Sequence, residues 1–152
     1  MALQVAVVSW GPVEEIEVHS GVDHREFFPR HTSCGDPVDD PDAPTGSGWW
    51  HWQIFDIEAK VAGLPPGVGA KQNVPAGARQ GPNDTGANAF MGACPPPGHG
   101  THHYIFTVFA LGIDKLPAPP EATAAMIGFM LNANALAKAT ITATYERPAP
   151  TP

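Results

Sequence analysis

HYIFTVFAL (103–111) is the stretch that decides how this chain is read. It is almost continuously apolar and rich in aromatic and β-branched residues, which suits a strand. A half-buried strand alternates apolar and polar residues; this run does not, so it reads as a central strand covered on both faces. Working outward, WWHWQIFDIE (49–58) is a second strand candidate and LQVAVVSW (3–10) a third. EEIEVHS (14–20) alternates weakly and is expected to pair with the latter. ATITATYE (139–146) alternates clearly, with Ile141, Ala143 and Tyr145 on one side and Thr140, Thr142 and Thr144 on the other. That is the pattern of a half-buried strand.

One segment reads as a helix, PAPPEATAAMIGFMLNANALAK (117–138). Prolines precede it, Glu121 falls in its expected first turn, and Lys138 lies near its expected end, as the helix dipole favours. Ile127, Met130, Leu131 and Asn134 recur at helical spacing, so one face is expected to pack on the sheet. Gly128 lowers the local helix propensity. The chain holds 18 Pro and 16 Gly, concentrated between the apolar runs. They punctuate short strands. Strands do not alternate regularly with helices, which excludes a doubly wound parallel sheet. The architecture expected is mostly β with a C-terminal helix.

A length of 152 residues fits one domain with a real core. The formal charge of -7 repels nucleic acid and anionic membrane surfaces, and no basic cluster offsets it. No segment reaches the length of a membrane span, and the N-terminal apolar run lacks a preceding basic residue and is short for a signal peptide. A cytoplasmic location is therefore expected. The two cysteines, Cys34 and Cys94, are too few for a disulfide scaffold. The plainer reading is two free thiols, with a single bridge left open.

Chemistry concentrates in two loop-plus-strand segments. In DPDAP (40–44), Pro41 and Pro44 stiffen the backbone around Asp42, and Asp40 is pushed toward an extended conformation by the proline after it. Alone, this could equally be a surface turn with solvated acids. His51 stands among Trp49, Trp50 and Trp52, where a buried ring needs a partner; a carboxylate or a backbone group would serve. In CPPPGHGTHHY (94–104), Pro95, Pro96 and Pro97 make a rigid stretch, and Gly98 and Gly100 let a ligand approach the backbone. His102 and Tyr104 share a strand face and His103 points away. His99 reads as an exposed loop histidine.

Asp40, His51, His102 and Tyr104 together suit an anion site, because imidazolium and phenol groups donate to phosphate or carboxylate oxygens. Two histidines and an aspartate also match a metal-ligand set, although HGTHH lacks the spacing of a helical zinc site. A hydrolytic triad lacks its nucleophile, since no GxSxG elbow is present.

DPDAP, GSGWWHW, NDTGANAFMGACPPPGHGTHHYIFTVFAL and IGFMLNANALAKATITATYE resemble the phosphatidylethanolamine-binding protein family, closest to its bacterial and archaeal Raf kinase inhibitor-like branch. The resemblance covers 28–36 and 39–147. It implies a Greek-key β-sandwich with a C-terminal helix near a small anion pocket. Asp40, His51 and His102 would form the pocket's core, and Asp42, Ala43, Pro44, Cys94, Pro95, Pro96 and Tyr104 its wall. One domain is expected over 1–147, divergent and shortened over 1–38, followed by a flexible tail at 148–152. Between FPRHTSCGD (28–36) and DPDAP only Pro37, Val38 and Asp39 intervene, where the family carries a further strand. About 20 residues are missing, enough for a strand and its lead-in. Either LQVAVVSW replaces that strand, or the chain forms a homodimer through the gap, or the fold is marginal. Three functions follow for testing. The first is binding of a small anionic ligand such as a phospholipid headgroup, without turnover, cofactor or metal. The second is inhibition of a kinase or other enzyme through a phosphorylated protein partner. The third is His/Asp acid–base hydrolysis.

Overall fold

Strand β4, His102–Leu111, runs through the middle of a three-stranded sheet. In the computed structural model, which describes residues 2–6, 45, 47–61, 63–64, 68–69 and 74–150, it is flanked by β1 (Ala2–Ala6) and β5 (Ala135–Tyr145). Both pairings are antiparallel. Ala2 faces Leu111 and Ala6 faces Thr107 on one side; His102 faces Tyr145 on the other. The expected central strand is therefore observed. Ile105, Thr107, Phe109 and Leu111 on one face are buried, as are His102 and Tyr104 on the other. The expected strand over 3–10 is seen as β1 as far as Ala6; the rest of it, the segment 14–20 and the segment 28–44 lie outside the described residues.

The Trp/His-rich segment forms a shorter strand than its composition predicts. Only Gln53–Phe55 (β2) enters a ladder, antiparallel to β3, Arg79–Gly81. Residues 49–52 are extended but direct their backbone groups elsewhere. Trp50 N–H donates to the Asp84 carboxylate (2.8 Å), and Asp84 N–H donates back to the Trp50 carbonyl (3.1 Å). Met91 N–H donates to the His51 carbonyl (3.2 Å). At its other end β2 stops at Asp56, whose φ of 63° lies in the left-handed region. Short polar side chains are among the few that tolerate it.

The helix α1 spans Ala124–Asn134, shorter at both ends than 117–138. Its N-cap is Thr123, whose Oγ1 accepts the Met126 N–H (3.2 Å); Glu121 and the prolines lie before it, and its first turn holds no acid. It ends where the alternating pattern begins, so Lys138 belongs to β5. Asn132 and Asn134 side chains donate to the Gly128 and Met130 carbonyls one turn back (2.9 and 2.8 Å). Both bonds fold an amide side chain back onto the helix's own carbonyl four residues earlier. Ala124, Ile127, Gly128 and Leu131 make the buried face. Gly128 is required there by contact: a Cβ at this position would lie 2.7 Å from the Trp50 ring.

Two clusters fill the interior. Phe55, Phe109, Leu111, Leu116, Ile127 and Leu131 join β2, β4 and α1, and Trp52, Ile54 and Ile57 form a second group that Phe106 of β4 packs against. Gln53 Nε2 donates to the Ala124 carbonyl (2.9 Å), fixing the start of α1 against β2.

Candidate functional site

The site grows from the N-terminal end of β4. His102 is wholly buried and Tyr104, two residues on, is 3% exposed on the same face. His51, at 4% exposure, sets its ring against Tyr104 edge-on, with centroids 5.2 Å apart and planes at 70°. His99 lies on the loop that enters the strand, and its Nδ1 is 2.9 Å from His102 Nε2. Such a contact needs an N–H on one ring and a lone pair on the other. Two contacts result, His51 with Tyr104 and His99 with His102, and Tyr104 and His102 share one face of β4.

The segment 94–96, expected as the wall, leads into the loop that carries His99. Cys94 and Pro95 are buried and Pro96 is partly so. Cys94 is disulfide-bonded, which corrects the expectation of free thiols. The other cysteine of the chain, Cys34, lies outside the described residues. Arg147, two residues past the β5 residue that pairs with His102, directs Nη1 at the Pro95 carbonyl (3.3 Å) and at Cys94 Sγ (3.5 Å).

Of the ten residues expected to bind ligand, the structure brings His51 against Tyr104, sets His102 on the same strand face as Tyr104, and carries Cys94, Pro95 and Pro96 on the loop before β4. Asp40, Asp42, Ala43 and Pro44 lie outside the described residues. His99 is exposed as expected, yet it is the ring partner of His102; the signal was the HxxH spacing across the flexible Gly100. Asn83 was also not singled out. Its Oδ1 accepts from Thr85 N–H (3.0 Å), Thr85 Oγ1 (2.5 Å) and Ala87 N–H (3.1 Å), and its Nδ2 donates to the Ala89 carbonyl (3.1 Å). This knot shapes the loop that leads from β3 past His51 to Cys94. A cleft of about 420 Å³ between β3 and the Pro119–Pro120 turn, floored by Phe55 and Ile127, contains none of these histidines. Among the described residues no group of three or more His, Cys, Asp or Glu is placed to hold a metal. No helix among them is long and apolar enough to cross a membrane.

The described residues thus form a mostly β fold with His51, Tyr104, His102 and His99 gathered at the N-terminal end of β4. Residues 37–146 match the phosphatidylethanolamine-binding protein family, and the chain belongs to it. The protein YbcL of Escherichia coli is 51% identical over 111 residues, 72% of this chain and 61% of that one. YbhB of the same organism is 46% identical over 107 residues, 70% and 67% of the two chains. A UPF0098 protein of Pyrococcus abyssi is 31% identical over 170 aligned positions, covering 97% of this chain and 94% of that one. The chain thus aligns with only 61% of the length of YbcL in the first of these matches. The crystal structure of E. coli YbcL, described as a new member of the mammalian PEBP family, superposes with a TM-score of 0.68. It is 37% identical and the match covers 96% of this chain and 99% of that one. A homologue from Chlamydia trachomatis gives a TM-score of 0.58 at 28% identity, over 72% and 69%. The mostly β fold expected from the sequence is that of this family.

Proposed function

We propose that this chain binds a small phosphate- or carboxylate-bearing ligand, such as a phospholipid headgroup, at the His51–Tyr104–His102–His99 cluster, without turning it over. The observation that carries the reading is a group of two contacts around one strand face: buried His51 sets its ring against Tyr104, and buried His102, two residues before Tyr104 on β4, is bonded to the exposed His99. Rings and a phenol held this way offer donors with little rearrangement, which lowers the entropy cost of binding. Ring N–H groups and the Tyr104 hydroxyl can donate to the oxygens of an anion. Asp40, expected in the pocket's core, would hold an imidazole charged and oriented. Family membership supports the ligand class.

The finer fold belongs to the same reading: a Greek-key sandwich lacking one strand before Asp40. The Pyrococcus alignment supports it, because 170 positions cover 97% of a 152-residue chain. That leaves about 20 positions without a counterpart, the length of a strand and its lead-in. The disulfide at Cys94 supports maturation in an oxidising compartment, in place of the cytoplasm expected from sequence. Two titratable thiols in protein isolated without reductant would overturn that point.

Thermal unfolding near pH 6, with and without millimolar phosphate or O-phosphorylethanolamine, tests the main proposal. Ligand at about 100 times its dissociation constant stabilises by about 2.7 kcal/mol. A raised midpoint in the wild type that disappears in His51→Ala and His102→Ala is the expected result. Both variants responding like wild type would sink the assignment of the site. Product appearing in the ligand solution would sink the absence of turnover.

A further inference from the structure

The 94–101 loop cannot hold itself in place. Pro95, Pro96 and Pro97 contribute no N–H groups, and within the loop the one backbone bond is from His99 N–H to the Pro96 carbonyl (3.2 Å). Several further restraints come from residues 146–149. Gly98 N–H donates to the Arg147 carbonyl (2.9 Å), and Thr101 Oγ1 donates to Glu146 Oε2 (2.7 Å). Ala149 packs on Gly98 so closely that a Cβ there would lie 3.1 Å from its own, at a φ of 76° that already favours glycine. The Arg147 side chain completes the set with its bonds to the Pro95 carbonyl and Cys94 Sγ. The disulfide restrains Cys94 through its sulfur. At the next residue Arg147 supplies the hydrogen bond to the Pro95 carbonyl.

We propose that Arg147 is a positioning residue for the anion site and that the segment 146–149 is the latch that sets the 94–101 loop against His102. The guanidinium acts through the Pro95 carbonyl and through the registry of His99 on His102. The affinity part of this inference rests on the anion-binding reading above; the positioning part does not.

The test compares wild type, Arg147→Lys and Arg147→Ala by two readouts. The first, without ligand, is the ring resonances of His99 and His102 together with amide exchange at Gly98 and Thr101. The second is the affinity for inorganic phosphate by calorimetry. Arg147→Ala is expected to move the ring resonances, speed exchange at both amides and weaken phosphate binding about tenfold, the loss expected for one hydrogen bond of this type. Arg147→Lys should recover less than half of that, because an ammonium lacks the planar fork. Millimolar methylguanidinium should partly rescue Arg147→Ala and leave wild type unchanged. Ring resonances and amide exchange like wild type in Arg147→Ala would overturn the latch. A lowered unfolding midpoint with those signals unchanged would make Arg147 merely structural and overturn it equally. If wild type fails to bind phosphate while the ring signals still respond to Arg147→Ala, the latch stands and the anion reading falls.

Discussion

Two ion pairs sit within five residues of each other at the exit of β2, and they differ in almost every physical respect. Asp56 and Arg79 are 23 residues apart in sequence and meet at 2.6 Å, with the Asp56 side chain 1% exposed and that of Arg79 43%. Glu58 and Lys60 are two residues apart, with side chains 52% and 80% exposed. The first pair is embedded in other bonds. Asp56 Oδ1 accepts the Leu116 N–H (2.8 Å), while Arg79 donates to the Leu116 and Ala118 carbonyls (2.6 and 3.0 Å) and lies 4.6 Å over the Phe55 ring. It ties β2, β3 and the chain leading to α1 into one piece. The second pair ties nothing. Charge alone does not make a residue structural; desolvation together with further hydrogen bonds does.

The largest effect is therefore expected at Asp56. Asp56→Ala removes the acceptor of a buried N–H and the partner of Arg79, a loss of about 1.5–3 kcal/mol for charge-assisted bonds. It also places a Cβ-bearing residue without a local polar bond at φ 63°, at a further cost of roughly 1 kcal/mol. The urea midpoint should fall by the equivalent of about 3 kcal/mol with an unchanged slope. Asp56→Gly sharpens the comparison, since it removes the carboxylate and relieves the backbone; its loss should be smaller than that of alanine by the strain component. Equal losses would show that the left-handed backbone carries no cost here. A loss below about 1 kcal/mol in both would break the distinction between the two pairs.

The same contrast explains what was legible in the sequence. HYIFTVFAL announces a central strand because both of its faces are apolar, and that information is local. The family motifs announce His51, His102 and Tyr104, and in the structure His51 meets Tyr104 while His102 shares its strand face. Arg79 carried no signal, because its value comes from meeting a residue 23 positions away under the 116–118 segment. The helix was placed too early because prolines at 117–120 resemble a first turn, whereas the Thr123 hydroxyl supplies the cap. It was carried too far because 135–138 has good helix formers that pair with β4 instead. Tertiary pairing overrode propensity there. The Trp/His run looked like a long strand, but the loop knotted by Asn83 takes over its backbone bonds, and that path is invisible from composition. Arg147 stands at the very end of the expected domain, past the alternating strand; its role depends on where β5 ends relative to the proline loop.

The smallest effect is expected at the exposed pair, and pH gives its signature. The hydrogen bond from Lys60, then its charge, hold the Glu58 carboxyl below its ordinary 4.5, and the same two causes hold Lys60 above its ordinary 10.5. A lowered acid contributes stability above its unfolded value and loses it as the pH falls through the folded one. A raised base contributes below its unfolded value and loses it as the pH rises through the folded one. The pair therefore acts across the whole neutral range and can fade only at its two edges. Both side chains are solvated, and salt screens what attraction remains. Lys60→Ala should leave the urea midpoint at pH 7 indistinguishable from wild type, and raising the salt should change neither protein's midpoint relative to the other. A midpoint shift approaching that of Asp56→Gly would show that Glu58 and Lys60 are held by something beyond each other, and the contrast between a solvated pair and a desolvated one would fail at the position where it should be clearest.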